Sequence, residues 1–171
     1  MSLYRIRNFI ITAVLVVLAF VLQTTVFSRI HFLGYAPNLL LVLTFIYGYS
    51  DSRIVGMLIG FFSGLLMDVF FCDVIGYHAL VFLLIGFVSG IWNSLFYSDD
   101  LYIPLLLLVL SDLFYHAVCF VVWYVLKARF ELGYYLIRVM LPEFLLTFIA
   151  GLLLYKPVSA LIYKLKEVPE Q

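Results

Sequence analysis

From Phe9 to Phe27 the chain runs without a single charged residue. A hydrocarbon core about 30 Å thick needs about 20 apolar residues to be crossed by one helix, and this stretch meets that length. Arg5 and Arg7 precede it, as basic residues precede a secretory signal. The apolar run is longer than the roughly 7–15 residues of a signal core, however, and no A-x-A-like cleavage site follows it. It is expected to be an uncleaved first transmembrane helix.

Five further apolar stretches follow, over 36–49, 54–71, 77–97, 101–126 and 139–163. The second is short for a span, with Pro37 placed in its first turn, where a missing N–H costs little. Ser50, Asp51, Ser52 and Arg53 separate it from the third stretch, Asp99 and Asp100 break the chain before the fifth, and Lys127 to Arg138 is the longest polar connection. Composition agrees: 66% of the 171 residues are hydrophobic and 12% charged, against about 45–50% and about 25% in soluble domains. The runs are apolar on all sides, which excludes the alternating strands of a β-barrel. The expected fold is all-α, a single membrane domain (1–171) made of a bundle of about six transmembrane helices.

Ten basic and ten acidic residues cancel, so nothing in the charge favours nucleic acid. An even number of spans puts both termini on one side. That side would hold Arg5, Arg7, Arg53, Lys156, Lys164 and Lys166, and the other Arg29, Lys127, Arg129 and Arg138. Six against four favours cytoplasmic termini. Tyr97, Tyr102, Tyr134 and Tyr135 fall where an interfacial aromatic belt is expected. Cys72 and Cys119 stand alone, with no disulfide framework.

Gly56, Gly60, Gly64 and then Asp68 recur every four residues, along one helical face. Small residues at this spacing let helix backbones approach closely in lipid, and Gly86 and Gly90 repeat the pattern. The face serves either packing of the third helix on the fourth or docking of a partner's helix. Asp68 either caps or pairs locally near a helix end, or makes a buried polar contact that fixes the bundle or a partner. Asp112 and His116 share a face mid-way along the fifth helix. They read as a structural hydrogen-bonded pair, with a substrate or partner contact as the alternative. Two ligands are too few for an ordinary metal site, and no metal or cofactor is expected. Gln23, Thr24 and Thr25 supply interhelical hydrogen bonds, and Glu143 after Pro142 suits a helix start. No GxSxG, phosphate-binding loop, GxGxxG or HExxH is present, so the chain is read as non-enzymatic.

The run from Leu22 through Gln23 to Phe27, followed by Gly34, Tyr35, Ala36, Pro37, Asn38 and Leu39 to Leu41, resembles the rod shape-determining protein MreD family. So do Gly56, Gly60, Gly64, Leu65, Leu66 and Asp68, followed by Gly76, Ala79 and Leu80, and a last span with Pro142 near its start and Pro157 near its end. The resemblance implies a multi-pass protein of the bacterial inner membrane, working in the elongation machinery that inserts lateral-wall peptidoglycan. It implies association with an MreC-like membrane protein, and through it with MreB, RodA and its penicillin-binding transpeptidase. It also implies a fold similar to the substrate-binding subunits of energy-coupling-factor transporters. No catalytic residues are implied; Gln23, Pro37, Asn38, the three glycines and Asp68 match the family's pattern.

Two functions compete on this basis. One is a scaffold whose helices bind another membrane protein's helix; the other is a vitamin-type binding subunit of a transporter, with Asp112, Tyr115 and His116 in a polar pocket. A bound small molecule on the isolated protein would favour the second.

Overall fold

In hydrocarbon a backbone must pair its own N–H and C=O groups, so apolar runs become helices. The computed structural model describes residues 3–26, 36–71, 75–95, 101–122, 133 and 135–166, and every regular element among them is helical. Arg29, Gly34, Tyr35, Cys72, Tyr97, Asp99, Asp100, Lys127, Arg129 and Tyr134, all named above, lie outside the described residues. Helix α1 spans Leu3–Val21 and continues as a wider π-helical turn, Leu22–Val26. Then come α2 (Leu39–Ser50), α3 (Arg53–Phe71), α4 (Tyr77–Leu95) and α5 (Tyr102–Phe120). Another π-helical turn, Tyr135–Met140, leads into α6 (Leu141–Lys166). The stretches Ile6–Thr25, Arg53–Phe71, Tyr102–Phe120 and Tyr135–Lys166 are long and apolar enough to cross a membrane, while Leu39–Ser50 and Tyr77–Trp92 are shorter apolar helices. The fold is an all-helical membrane bundle.

Helix α2 explains its own brevity. A helix apolar on all sides belongs in a core rather than at a lipid boundary, and every residue from Leu39 to Ser50 is buried. Its 12 residues reach about 18 Å at 1.5 Å per residue, well short of the hydrocarbon thickness. Its N-terminus therefore lies inside the bundle, and Ala36, Pro37 and Asn38 are non-helical there. Irregular backbone at such depth survives only when protein covers it; Pro37 and Asn38 are buried. Pro37 stands one residue before the N-cap Asn38, not within the first turn as the sequence suggested.

At the opposite end of α2 the polar groups gather at one face of the bundle. Lys166 Nζ donates to the carbonyls of Ser50 and Asp51, both at 3.0 Å, and lies 2.9 Å from the Asp51 carboxylate. A cation beside the last carbonyls of a helix complements its dipole. Ser50 and Ser159 hydroxyls are 3.1 Å apart, and Asn8 donates to the Leu165 carbonyl at 3.0 Å. These contacts gather the ends of α1, α2 and α6. Helix α6 runs through Pro157 without a break, a proline that lipid-embedded helices tolerate when neighbours satisfy the freed carbonyl.

Candidate functional site

Along the glycine ladder helices meet with no room for a side chain. A Cβ on Gly56 would come within 2.5 Å of the Gly48 Cα and 2.7 Å of the Gly86 carbonyl oxygen. On Gly48 it would meet the same Gly86 oxygen at 2.6 Å, and on Gly86 it would strike the Gly56 carbonyl. Three helices, α2, α3 and α4, thus meet backbone to backbone at one glycine triad. Further along, Gly60 faces the Phe82 carbonyl, Gly64 faces His78 and Ala79, and Gly90 faces the Arg53 Cα at 2.6 Å. The small-residue face is filled by this chain's own helices. In this arrangement it is closed rather than an open groove.

Asp68 ends that ladder, with no solvent exposure. Its Oδ2 accepts from the backbone N–H of Gly76 at 2.9 Å and of Ala79 at 3.0 Å; its Oδ1 accepts from the His78 N–H at 2.9 Å. The His78 ring nitrogen Nδ1 lies 2.9 Å from the same Oδ1. A helix start leaves its first N–H groups without partners and carries a partial positive charge. The carboxylate of α3 supplies what the start of α4 lacks, across a turn in which Gly76 holds φ at 103°.

The buried start of α2 is satisfied in the same way by three helices. The Asn38 N–H donates to Thr147 Oγ1 at 3.0 Å, the Leu40 N–H reaches Gln23 Oε1 at 3.4 Å, and the Leu41 N–H donates to the Asn38 side chain at 3.2 Å. Gln23 also lies 3.8 Å from the Met67 sulfur. Gln23 on the π-helical turn after α1, Asn38 at the cap and Thr147 on α6 are thereby tied to one helix end.

Asp112 and His116 are buried, at 2% and 1% exposure, but they are not hydrogen-bonded to each other. The nearest approach is 3.9 Å, from His116 Nε2 to Asp112 Oδ1, too long for a hydrogen bond. His116 turns instead to Tyr135, whose hydroxyl lies 3.3 Å from Nδ1 and donates to the His116 carbonyl at 3.2 Å. Among the described residues, both Asp112 oxygens and His116 Nε2 have no hydrogen-bond partner. The Tyr115 ring touches both histidines, tilted against His78 at 6.0 Å and edge-on to His116 at 5.4 Å. Glu143, in the first turn of α6, is close enough for its charge to act on Asp112 and Tyr115. No group of three metal-ligating side chains forms among the described residues.

The model of the rod shape-determining protein MreD family matches residues 4–165. The chain belongs to the MreD family. The match runs from the second residue of α1 to the last but one of α6. No curated protein and no solved structure matches significantly. Membership makes this a rod-shape-determining membrane protein. Gln23 and Asn38 hold the buried start of α2, Gly56, Gly60 and Gly64 seat α3 on α4, and Asp68 caps α4.

Sequence reasoning missed Gly48, Thr147 and Tyr135. A lone glycine inside an apolar helix costs about 1 kcal/mol relative to alanine, which signals a packing role; Gly48 had that signal. Thr147 had none. Tyr135 was expected in an interfacial belt and is instead 5% exposed, because its hydroxyl finds His116.

Proposed function

We propose that this MreD-family chain is a non-enzymatic scaffold of the bacterial cytoplasmic membrane, with both termini cytoplasmic. It binds an MreC-like bitopic protein, and through it joins MreB, RodA and its penicillin-binding transpeptidase in lateral wall synthesis. Family membership over nearly the whole chain carries this reading. Packing supports it: the Asp68 carboxylate and the N–H groups at the start of α2 are bonded within the bundle, which leaves apolar helix faces for partners.

One such face has a defined shape. Helix α1 is tied to the bundle near one end by Asn8 and by Thr12, 3.2 Å from the Tyr47 hydroxyl, and near the other by Gln23 and the Phe20–Phe70 ring contact. Between these ties α1 stands off α3, leaving a groove of about 360 Å³ lined by Ala13, Val17, Phe62, Leu65 and Val69. Close packing is what joins helices in lipid, and a partner helix packs here. The test is a photo-crosslinking residue at Val17, Phe62 or Leu153, with an MreC-like partner co-expressed. Adducts at Val17 and Phe62 but not at Leu153 are expected. Adducts at Leu153 alone overturn the groove, and failure to co-purify at all overturns the partner.

A second reading rests on Asp112 and His116. Unpaired polar atoms so deep in a membrane helix are costly unless something else uses them, and a vitamin-type ligand could. A small molecule retained through purification and lost on Asp112→Asn would favour a binding subunit over a scaffold.

A further inference from the structure

A cleft of about 830 Å³ opens between α5 and α6, and its walls are unlike those of the other grooves. Leu101, Leu105, Leu152 and Ala160 make an apolar trough, while Tyr102, Tyr155, Tyr163 and Lys156 bring polar tips to it. The other described grooves, between α1 and α3 and between α4 and α5, carry no charged side chain.

Depth decides what the lysine meets. Ser159, one turn from Lys156, is bonded to Ser50 at the end of α2, and Tyr102 opens α5. Lys156 therefore sits about one helical turn, roughly 5 Å, inside the Ser50–Ser159 contact at the end of α2. An ammonium there is expensive in hydrocarbon unless it reaches the interface or meets an anion. Lys166 has Asp51 for that purpose. Lys156 is exposed and forms no ion pair among the described residues. Tyrosines are at home at headgroup level, with the ring in the apolar layer and the hydroxyl in the polar one, and Tyr102 is 84% exposed.

We infer that the cleft between α5 and α6 binds one anionic glycerophospholipid, its phosphate held by Lys156 and the tyrosine hydroxyls and an acyl chain lying in the Leu105–Leu152 trough. Only a ligand with both an anion and a long apolar tail satisfies both parts of the cleft. A soluble phosphate leaves the trough empty, and a zwitterionic lipid leaves the ammonium competing with its own amine. The assignment does not depend on the scaffold reading.

The test is native mass spectrometry of the full chain in micelles doped with equal phosphatidylglycerol and phosphatidylcholine. The native protein should retain phosphatidylglycerol about fivefold over phosphatidylcholine, the value of one lysine at an anionic headgroup layer. Lys156→Gln should bring the ratio to parity, Lys156→Arg should keep it, and Lys164→Gln should leave it unchanged. Ala160→Trp fills the trough without touching charge and should also abolish retention. A native ratio near one overturns the proposal, as does an equal loss on Lys164→Gln, which marks diffuse attraction. Full retention in Ala160→Trp, or displacement by inorganic phosphate, assigns the lysine to a free anion and refutes the lipid site.

Discussion

Replacing Asp68 tests whether the bundle's central turn is held by one carboxylate. Three backbone N–H groups and the His78 ring converge on its two oxygens, all within 3.0 Å and out of contact with solvent. Stripping one side of a buried charged cluster costs about 3–5 kcal/mol, and Asp68→Ala should fall there. Asp68→Asn is the sharper probe. The amide keeps one acceptor oxygen, so whichever way it is turned its NH2 faces N–H donors that formerly had a partner. Each buried donor left unpaired costs about 1–3 kcal/mol, so a loss of about 2–4 kcal/mol is expected from a change of near-equal volume. His78→Phe keeps the ring packing and removes one hydrogen bond, for about 1.5 kcal/mol. The assay is reversible unfolding in mixed micelles by detergent titration, followed by tryptophan fluorescence. The order Ala, Asn, His78→Phe, from most to least damaging, is required. If Asp68→Asn lies within about 0.5 kcal/mol of the native protein, the scale of a neutral surface change, the carboxylate is not the cap. If His78→Phe is the worst of the three, the side-chain hydrogen bond and not the helix start is what matters.

Other substitutions separate causes that look alike. Gly86→Leu or Gly56→Leu drives a side chain into a facing carbonyl and should cost at least the 1–3 kcal/mol of overpacking, read as loss of folded monomer in gel filtration. Gly76→Ala meets nothing within 4 Å but holds φ at 103°; it should cost about 1–3 kcal/mol from backbone strain alone, while Gly133→Ala changes nothing in the same detergent-titration unfolding assay. Asn38→Ala removes the cap of α2 and should lower stability by about 1–2 kcal/mol. Lys166→Ala removes a partly exposed bridge and should cost no more than about 1 kcal/mol, less still in high salt. Asp112→Asn should leave unfolding stability unchanged or raise it, opposite in sign to Asp68→Asn, because its oxygens have no donors to lose.

How much of this was legible depended on how far apart the partners lie along the chain. The spacing of Gly56, Gly60 and Gly64 is a helical period, so their shared face could be read directly. The residue each glycine meets could not, since Phe82 and Gly86 face the ladder only once a turn has reversed the chain. Asp68 was visible as a polar residue near a helix end, but its donors come from Gly76, His78 and Ala79, across that turn. Helix α2 carried its own answer in being apolar on every side, yet its length drew attention to spanning instead of to burial. Asn38 before an apolar run was an ordinary N-cap signal, and placing Pro37 inside the helix obscured it. The pair at Asp112 and His116 was placed on one face correctly by spacing. Its missing hydrogen bond was not readable, because Tyr135, which draws His116 away, lies beyond a long connection.

The buried polar groups therefore divide by what they satisfy. Asp68, Gln23, Asn38 and Thr147 each accept from a backbone N–H that a helix start would otherwise leave bare, and their presence in the membrane follows from folding alone. Among the described residues Asp112 accepts nothing and His116 Nε2 meets no hydrogen-bond partner, although both are as buried as the others. Folding would be served as well by asparagine or leucine at Asp112, since a buried ion without donors stabilises nothing. The Asp68 carboxylate thus completes a helix start, a role that Asp112 does not have among the described residues. The opposite responses expected of Asp68→Asn and Asp112→Asn are the measurable form of that division.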